Sequence, residues 1–281
     1  MDEFPGRAGR FLRRHWLIAA VLVLVTGFVM TPHRLERLFV YYPFRQLEGD
    51  PGSVGLAFQD IHLVTEDGIK LHGWFVPCEG AQSTLLIFHG NGGNISHRLS
   101  WIEMLHPLGV HVFIIDYRGF GRSEGTPFEE GLYRDARAAY SWWARERQPR
   151  GEKLILVGES LGGAVAVHLG ARVPAAGLIL QSTFTSARDM ARTMFPLGLL
   201  LPLTGLRFDS QKEIAKIACP KLLIHGTRDE IVPFRLGKTL YEIAPAPKSF
   251  YIVPEAGHND LLWVAGAEYT RQLKSFLSRI H

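Results

Sequence analysis

Gly158-Glu159-Ser160-Leu161-Gly162-Gly163 sets a serine among glycines, between an apolar run at 153–157 and a stretch of small residues that opens the next helical segment. A turn of this kind between strand and helix leaves almost no room for side chains beside the serine. It raises the hydroxyl above the backbone and points a helix N-terminus at it. The same G-x-S-x-G spacing recurs around Ser123, at Gly121 to Gly125, but no strand ends there and Thr126-Pro127 follows, so Ser123 reads as a loop serine. A serine hydroxyl becomes a useful nucleophile when a histidine takes its proton and a carboxylate orients that histidine. Asp229 follows an apolar run at 221–225, with Glu230 as its nearest rival, and His258 follows a run at 249–253. Serine, acid and histidine thus occur in the order used with an elbow serine, each just after a predicted strand. Position singles out His258 among 12 histidines. The implied chemistry is attack of Ser160 on an acyl carbonyl, whose oxyanion needs backbone donors. The first expected donor is the N–H of Leu161. The second comes from His89-Gly90-Asn91-Gly92-Gly93-Asn94, with Asn91 chosen and Gly92 as the alternative; His89 is expected to brace this loop.

These residues need a scaffold that brings distant strand ends together. Runs at 58–64 and 69–76, joined by Glu66-Asp67-Gly68, predict a hairpin. Strands are then predicted at 84–88, 110–115, 153–157, 177–180, 221–225 and 249–253. Helices are predicted between and after them at 95–106, 129–148, 161–173, 235–244 and 260–280, with Asn259 as the N-cap of the last. An antiparallel hairpin followed by alternating strands and helices predicts an α/β fold. Its sheet is mostly parallel and covered by helices on both faces, with its chemistry at the carboxyl ends of the strands.

Composition is that of an ordinary globular protein, with 47% hydrophobic and 21% charged residues. Two cysteines are too few for a disulfide scaffold or a cysteine-held metal. The net charge of +4 sits in residues 1–45, which hold seven arginines against Asp2, Glu3 and Glu36; residues 46–281 carry 24 basic and 24 acidic side chains. A neutral body argues against a nucleic-acid face. Neither G-x-G-x-x-G after the first strand, nor a P-loop, nor H-E-x-x-H occurs, so no cofactor and no metal are expected. Arg7, Arg10, Arg13 and Arg14 precede an uncharged run from Trp16 to Met30. That run would span roughly 22 Å as a helix, against ~30 Å of bilayer hydrocarbon. An uncleaved membrane anchor is favoured over a cleaved signal peptide, because Val25-Thr26-Gly27 is a poor cleavage site. Phe39, Tyr41, Tyr42 and Phe44 would form its interfacial belt, with the catalytic body outside the cytoplasm. Residues 46–56, rich in Gly and Pro, read as a linker, and the body is expected over 57–281.

FHGNGGN (88–94), DYRGFGRSEG (116–125), GESLGG (158–163), HGTRDEIVP (225–233) and AGHND (256–260), in this order, resemble the α/β-hydrolase superfamily over about residues 57–281. The resemblance is nearest to its small membrane-anchored, serine aminopeptidase-like branch. It implies the triad Ser160, Asp229 and His258, a supporting loop at 116–125, and hydrolysis of esters, thioesters or amides through an acyl-enzyme. It also implies a lid, here short, at about 184–219. Peptidases of the superfamily carry lid acids that hold a substrate amine. This lid offers Asp189, Asp209 and Glu213 alone, so a small acyl ester or thioester, lipids included, is the expected substrate. A peptidase or amidase, or a non-catalytic binding domain of the same fold, is the alternative; an aspartate-nucleophile enzyme is opposed by serine at position 160.

Overall fold

The computed structural model describes residues 34–193 and 204–280. Its centre is an eight-stranded sheet of β1 (Gln59–Val64), β2 (Lys70–Val76), β3 (Ser83–Phe88), β4 (His111–Ile115), β5 (Lys153–Glu159), β6 (Gly177–Gln181), β7 (Lys221–Gly226) and β8 (Lys248–Val253). The spatial order is β8-β7-β6-β5-β3-β4-β2-β1. β2 runs antiparallel to both of its neighbours, and every other pairing is parallel.

The pleat divides each central strand between two cores. Leu86 and Phe88 of β3, Phe113 and Ile115 of β4, and Leu154 and Leu156 of β5 point to one face. Leu85 and Ile87, Val112 and Ile114, and Ile155 and Val157 point to the other. Central strands such as β3 are therefore buried on both faces, whereas β1 at the edge alternates buried and exposed positions. α3 (Glu129–Glu146) and α4 (Leu161–Gly170) cover the first face, and α2 (Leu99–Leu105) and α9 (Ala267–Leu277) the second. The remaining helices are α1 (Arg34–Phe39), α5 (Ala187–Thr193), α6 (Ser210–Ile214), α7 (Phe234–Ile243) and α8 (Leu261–Ala265).

Two predicted helices are divided. The segment 95–106 begins as a 3-10 turn, Ile95–Arg98, before α2. The last helix breaks at Gly266, whose φ of 51° separates α8 from α9. Asn259 is not the cap of that helix. Asp260 holds the N-cap position, and its carboxylate accepts the Gly257 N–H at 2.7 Å. Cys78 and Cys219 are both free thiols.

The stretch 46–56, read from sequence as a linker, packs on the body. Asn94 Nδ2 donates to Gln46 O, Glu48 N–H donates to Ser96 Oγ, and Pro51–Val54 forms a 3-10 turn capped by Asp50. Tyr42 and Pro43 pair in parallel with Gly92 and Gly93. The apolar run 16–30 and residues 194–203 of the expected lid lie outside the described residues. Among the described residues no helix is long and apolar enough to cross a membrane.

The loop 116–125 is locked by a buried guanidinium. Arg118 Nε donates to Asp135 Oδ1 at 2.8 Å, its backbone N–H donates to Asp135 Oδ2 at 2.8 Å, and its terminal nitrogens reach Asp67 at 2.8 and 3.0 Å. Asp135 is fully buried. Arg118→Ala would strand that carboxylate, so urea unfolding should show a loss of about 3–5 kcal/mol. Arg118→Ala combined with Asp135→Asn should recover part of the loss.

Candidate active site

Ser160 sits between β5 and α4 with φ 52° and ψ −117°, in the left-handed half of backbone space that a non-glycine residue seldom occupies. Its surroundings leave no alternative. A Cβ at Gly162 would lie 1.9 Å from Phe88 O, one at Gly158 2.4 Å from Gly162 O, and one at Gly163 2.3 Å from Thr183 Oγ1. The bend is pinned by Ser160 N–H to Gln181 O (2.8 Å), and by Thr183 Oγ1 donating to Ser160 O (2.7 Å). Ser123 is different in kind. Its fully buried hydroxyl donates to Asp116 O (2.7 Å) and accepts from His72 N–H (2.9 Å), which ties the loop 116–125 to β2.

The loops after β7 and β8 are sewn together by Thr227 N–H to Val253 O (3.0 Å), Arg228 N–H to Ala256 O (2.9 Å) and Glu255 N–H to Thr227 Oγ1 (2.9 Å). That seam brings Asp229 and His258 together across 29 residues of chain, with His258 Nδ1 2.8 Å from Asp229 Oδ2. Glu230 takes another place: its carboxylate accepts the backbone N–H of His258 at 3.4 Å. The other oxygen of Asp229 accepts the N–H groups of Ile231 (3.0 Å) and Val232 (2.7 Å). A further partner, unassigned from sequence, is the buried His225, whose Nε2 lies 3.2 Å from Asp229 Oδ2 and 2.9 Å from Val232 O. Burial opposes the charge on Asp229, but the donors from His225, His258 and Val232 outweigh it and hold the carboxyl well below the usual aspartate range. The acid therefore stays ionised at any pH near neutrality. Among the described residues, no hydrogen bond joins the Ser160 hydroxyl to His258; catalytic bonds of this kind are often long without substrate.

The loop 89–94 runs beside the serine: a Cβ at Gly90 would be 3.6 Å from that of Ser160. His89 Nδ1 donates to Gly90 O at 2.8 Å. In a trans peptide this turns the Asn91 N–H the opposite way, so His89 sets the plane of the peptide that carries the expected donor. Glu159 is a second brace that sequence left unassigned. Its Oε2 accepts from Gly90 N–H (3.3 Å) and Arg98 Nε (2.9 Å). A cavity of about 490 Å³ lies elsewhere; Glu36, Glu129, Tyr133, His168 and Arg207 help line it, and none of Ser160, Asp229 and His258 does. Among the described residues no His, Cys, Asp and Glu cluster could hold a metal ion.

A strand–elbow–helix at position 160, with an acid and a histidine joined at two neighbouring strand ends, is the layout of an acyl-transfer site. Residues 79–210 match the family described as serine aminopeptidase, S33. The α/β-hydrolase domain-containing protein WAV2 of Arabidopsis thaliana is 35% identical over 82% of this chain and 81% of its own. The chain belongs to the α/β-hydrolase superfamily. An uncharacterised protein of Mycobacterium tuberculosis is 36% identical over 93% of this chain and 94% of its own. The fold is also that of an esterase of Pyrococcus furiosus, with a TM-score of 0.71 and 23% identity over 86% of this chain and 98% of that one. Membership in this superfamily supports hydrolase activity in the general sense.

Behind the loop, Asp116 and His89 form a fully buried titratable pair, with His89 Nε2 3.6 Å from Asp116 Oδ1. Burial, opposed by the Ile95 N–H, pushes Asp116 up to about 7; burial and the nearby Arg98 charge push His89 down to about 3. A free aspartate titrates near 3.9, so the stability due to Asp116 is fully present below that pH and is lost as pH rises through 7. Asp116→Asn removes this dependence. In urea unfolding it should gain on the wild type by on the order of 2 kcal/mol between pH 5 and pH 8.

Proposed function

We propose that this α/β-hydrolase cleaves a small acyl ester or thioester through an acyl-enzyme on Ser160. The observation that carries the reading is the 2.8 Å contact of His258 Nδ1 with Asp229, at the same end of the parallel strands as an elbow serine whose side chain makes no capping bond to the helix it opens. Nδ1–H donating to Asp229 leaves Nε2 as the free base of the imidazole. His258 Nε2 takes the Ser160 proton as Oγ bonds to the carbonyl carbon. The oxyanion is held by the N–H groups of Leu161 and Asn91. The bond to the leaving oxygen or sulfur breaks as His258 returns the proton to it. Water, deprotonated by the same imidazole, then releases the acid and restores the serine.

An ester or thioester is preferred to a peptide because the described lid acids are already engaged. Asp189 accepts from Thr185, Ser186 and Arg192, Asp209 pairs with Lys212, and Glu213 pairs with Arg172 and Lys216. Of the three, Asp209 keeps one oxygen without a hydrogen-bond partner, and that oxygen is buried. The family description of a serine aminopeptidase supports the rival amidase reading, and a matched ester, thioester and aminoacyl amide series separates the two. We further propose that residues 16–30 anchor the chain in a membrane with the body on the far side from the basic N-terminus, supported by the arginines before that run.

Ser160→Ala should abolish fluorophosphonate labelling and lower turnover by on the order of 10⁴. Ser123→Ala should keep the label while costing about 1–2 kcal/mol of stability, because two buried bonds are lost. Label on Ser123 in its place would overturn the assignment. Asp229→Asn should cost several orders of magnitude in turnover through the wrong imidazole tautomer, with Glu230→Gln close to wild type; equal losses would unseat Asp229. Full-length protein should stay in membranes through high-salt and alkaline washes, since salt screens the arginines but not apolar insertion. A mature N-terminus near Phe28 would instead establish a cleaved signal.

A further inference from the structure

The strip 40–46, next to the apolar run in sequence, lies against the loop that carries the expected oxyanion donor. We propose that this strip is a strap that positions the Gly90–Asn91 peptide, so that catalysis on Ser160 depends on residues that precede the hydrolase fold proper; the proposal rests on the serine-hydrolase reading above.

The loop 89–94 contains Gly90, Gly92 and Gly93, and Gly93 has φ 79°. Such a backbone has many accessible states and needs external ties to hold one. The body grips one side of it, through Glu159 on Gly90 N–H and His89 on Gly90 O. The strap grips the other. Tyr42 N–H donates to Asn91 O (2.9 Å), Asn91 Nδ2 donates to Val40 O (2.8 Å), and Phe44 N–H donates to Gly93 O (3.0 Å). Asn91 is thus held at its carbonyl and its side chain at once, which leaves its N–H as the group of that residue available to a ligand.

The strap is further tied to the far end of the same loop and, beyond it, to the 116–125 loop. Asn94 Nδ2 donates to Phe44 O (3.0 Å) and Gln46 O (2.7 Å). Gly121 N–H donates to Phe44 O (3.0 Å), and Arg45 reaches the carbonyls of Gly121 and Ser123. The oxyanion loop therefore lies between two fixed bodies, β5 with its Glu159 on one side and the 116–125 loop acting through the strap on the other. An oxyanion donor is effective in proportion to how well it is fixed before the charge develops, and misplacement by about 1 Å can cost on the order of 100-fold.

Three full-length variants test the strap. Tyr42→Pro deletes the N–H that donates to Asn91 O; Tyr42→Ala keeps that N–H and serves as its reference. Asn91→Asp keeps the side-chain shape but sets a carboxylate against Val40 O. Turnover is taken per active site titrated with a fluorophosphonate, well below the melting temperature of each variant. Tyr42→Pro should have a kcat about tenfold or more below Tyr42→Ala, and Asn91→Asp a similar loss against wild type, with KM within about threefold. Affinity for an alkyl boronic acid, whose tetrahedral adduct presents an oxygen to the donors, should weaken by the same factor as kcat. Tyr42→Pro and Asn91→Asp both retaining kcat within about twofold of their references overturns the proposal. So does a loss of kcat without a parallel loss of boronate affinity. If Ser160→Ala is inactive while those variants are unimpaired, the strap alone fails. If Ser160→Ala remains active, the serine reading fails and takes the strap with it.

Discussion

Close backbone approach at the β5–α4 turn is the constraint around which the rest of the molecule is arranged. Gly162 meets the carbonyl of Phe88 at the end of β3, so α4 starts directly over the neighbouring strand. No side chain fits between them. This contact forces Ser160 into its positive φ and stands its side chain at the top of the sheet, beside the loop that leaves β3. Strain of this kind costs on the order of 1–3 kcal/mol and persists because the surroundings over-determine it. Those surroundings are the two apolar cores. α4 is buried nearly all round, and the strands on either side of β5 are buried on both faces.

A second layer of design is visible in how polar groups are distributed around the elbow. Each loop that meets there is held by polar bonds as well as by apolar packing. The 116–125 loop is tied by Arg118 to Asp67 and Asp135 and by Ser123 to β2. The acid loop is tied to the histidine loop by backbone bonds and a threonine hydroxyl. Burying so many polar groups is unfavourable unless each finds a partner, and here nearly all do. The exceptions are informative. Two of the nine such atoms among the described residues, His89 Nε2 and Asp116 Oδ2, have no hydrogen-bond partner although fully buried, and they lie immediately behind the loop that borders Ser160. Their unusual titration follows from this isolation, because removal from water penalises the charged form of each.

Membership in the α/β-hydrolase superfamily accounts for the sheet order and for the run of loops at its carboxyl end, and the strip before β1 is docked on that sheet by contacts of its own. Residues 36–56 contribute a helix end, a two-residue ladder and a capped turn to the body. The hydrolase unit therefore starts earlier than its first long strand.

Much of the site could be read in one dimension because its determinants are local. The glycines at 158, 162 and 163 mark a turn that admits no Cβ, and alternation of apolar runs with helical spacing fixes which residues follow strand ends. The proposal of Ser160, Asp229 and His258 rests on these local signals, as does the preference for Ser160 over Ser123. What the sequence left undecided depends on groups far apart in the chain. Asp229 and Glu230 are adjacent carboxylates of equal standing in the sequence; the crossing of the β7 and β8 loops aims one at the imidazole and the other at a backbone N–H. Glu159 is one unspecified position inside a motif until Arg98 and Gly90 arrive from another strand end. Residues 46–56 carry the composition of a linker, since glycine, proline and aspartate serve free chain and docked turns equally well. Their docking rests on Asn94 and Ser96, some 48 residues away. Local spacing determines which side chains stand at the top of the sheet. Which of them touch is decided by strand order and by loops that meet only after the chain has closed on itself.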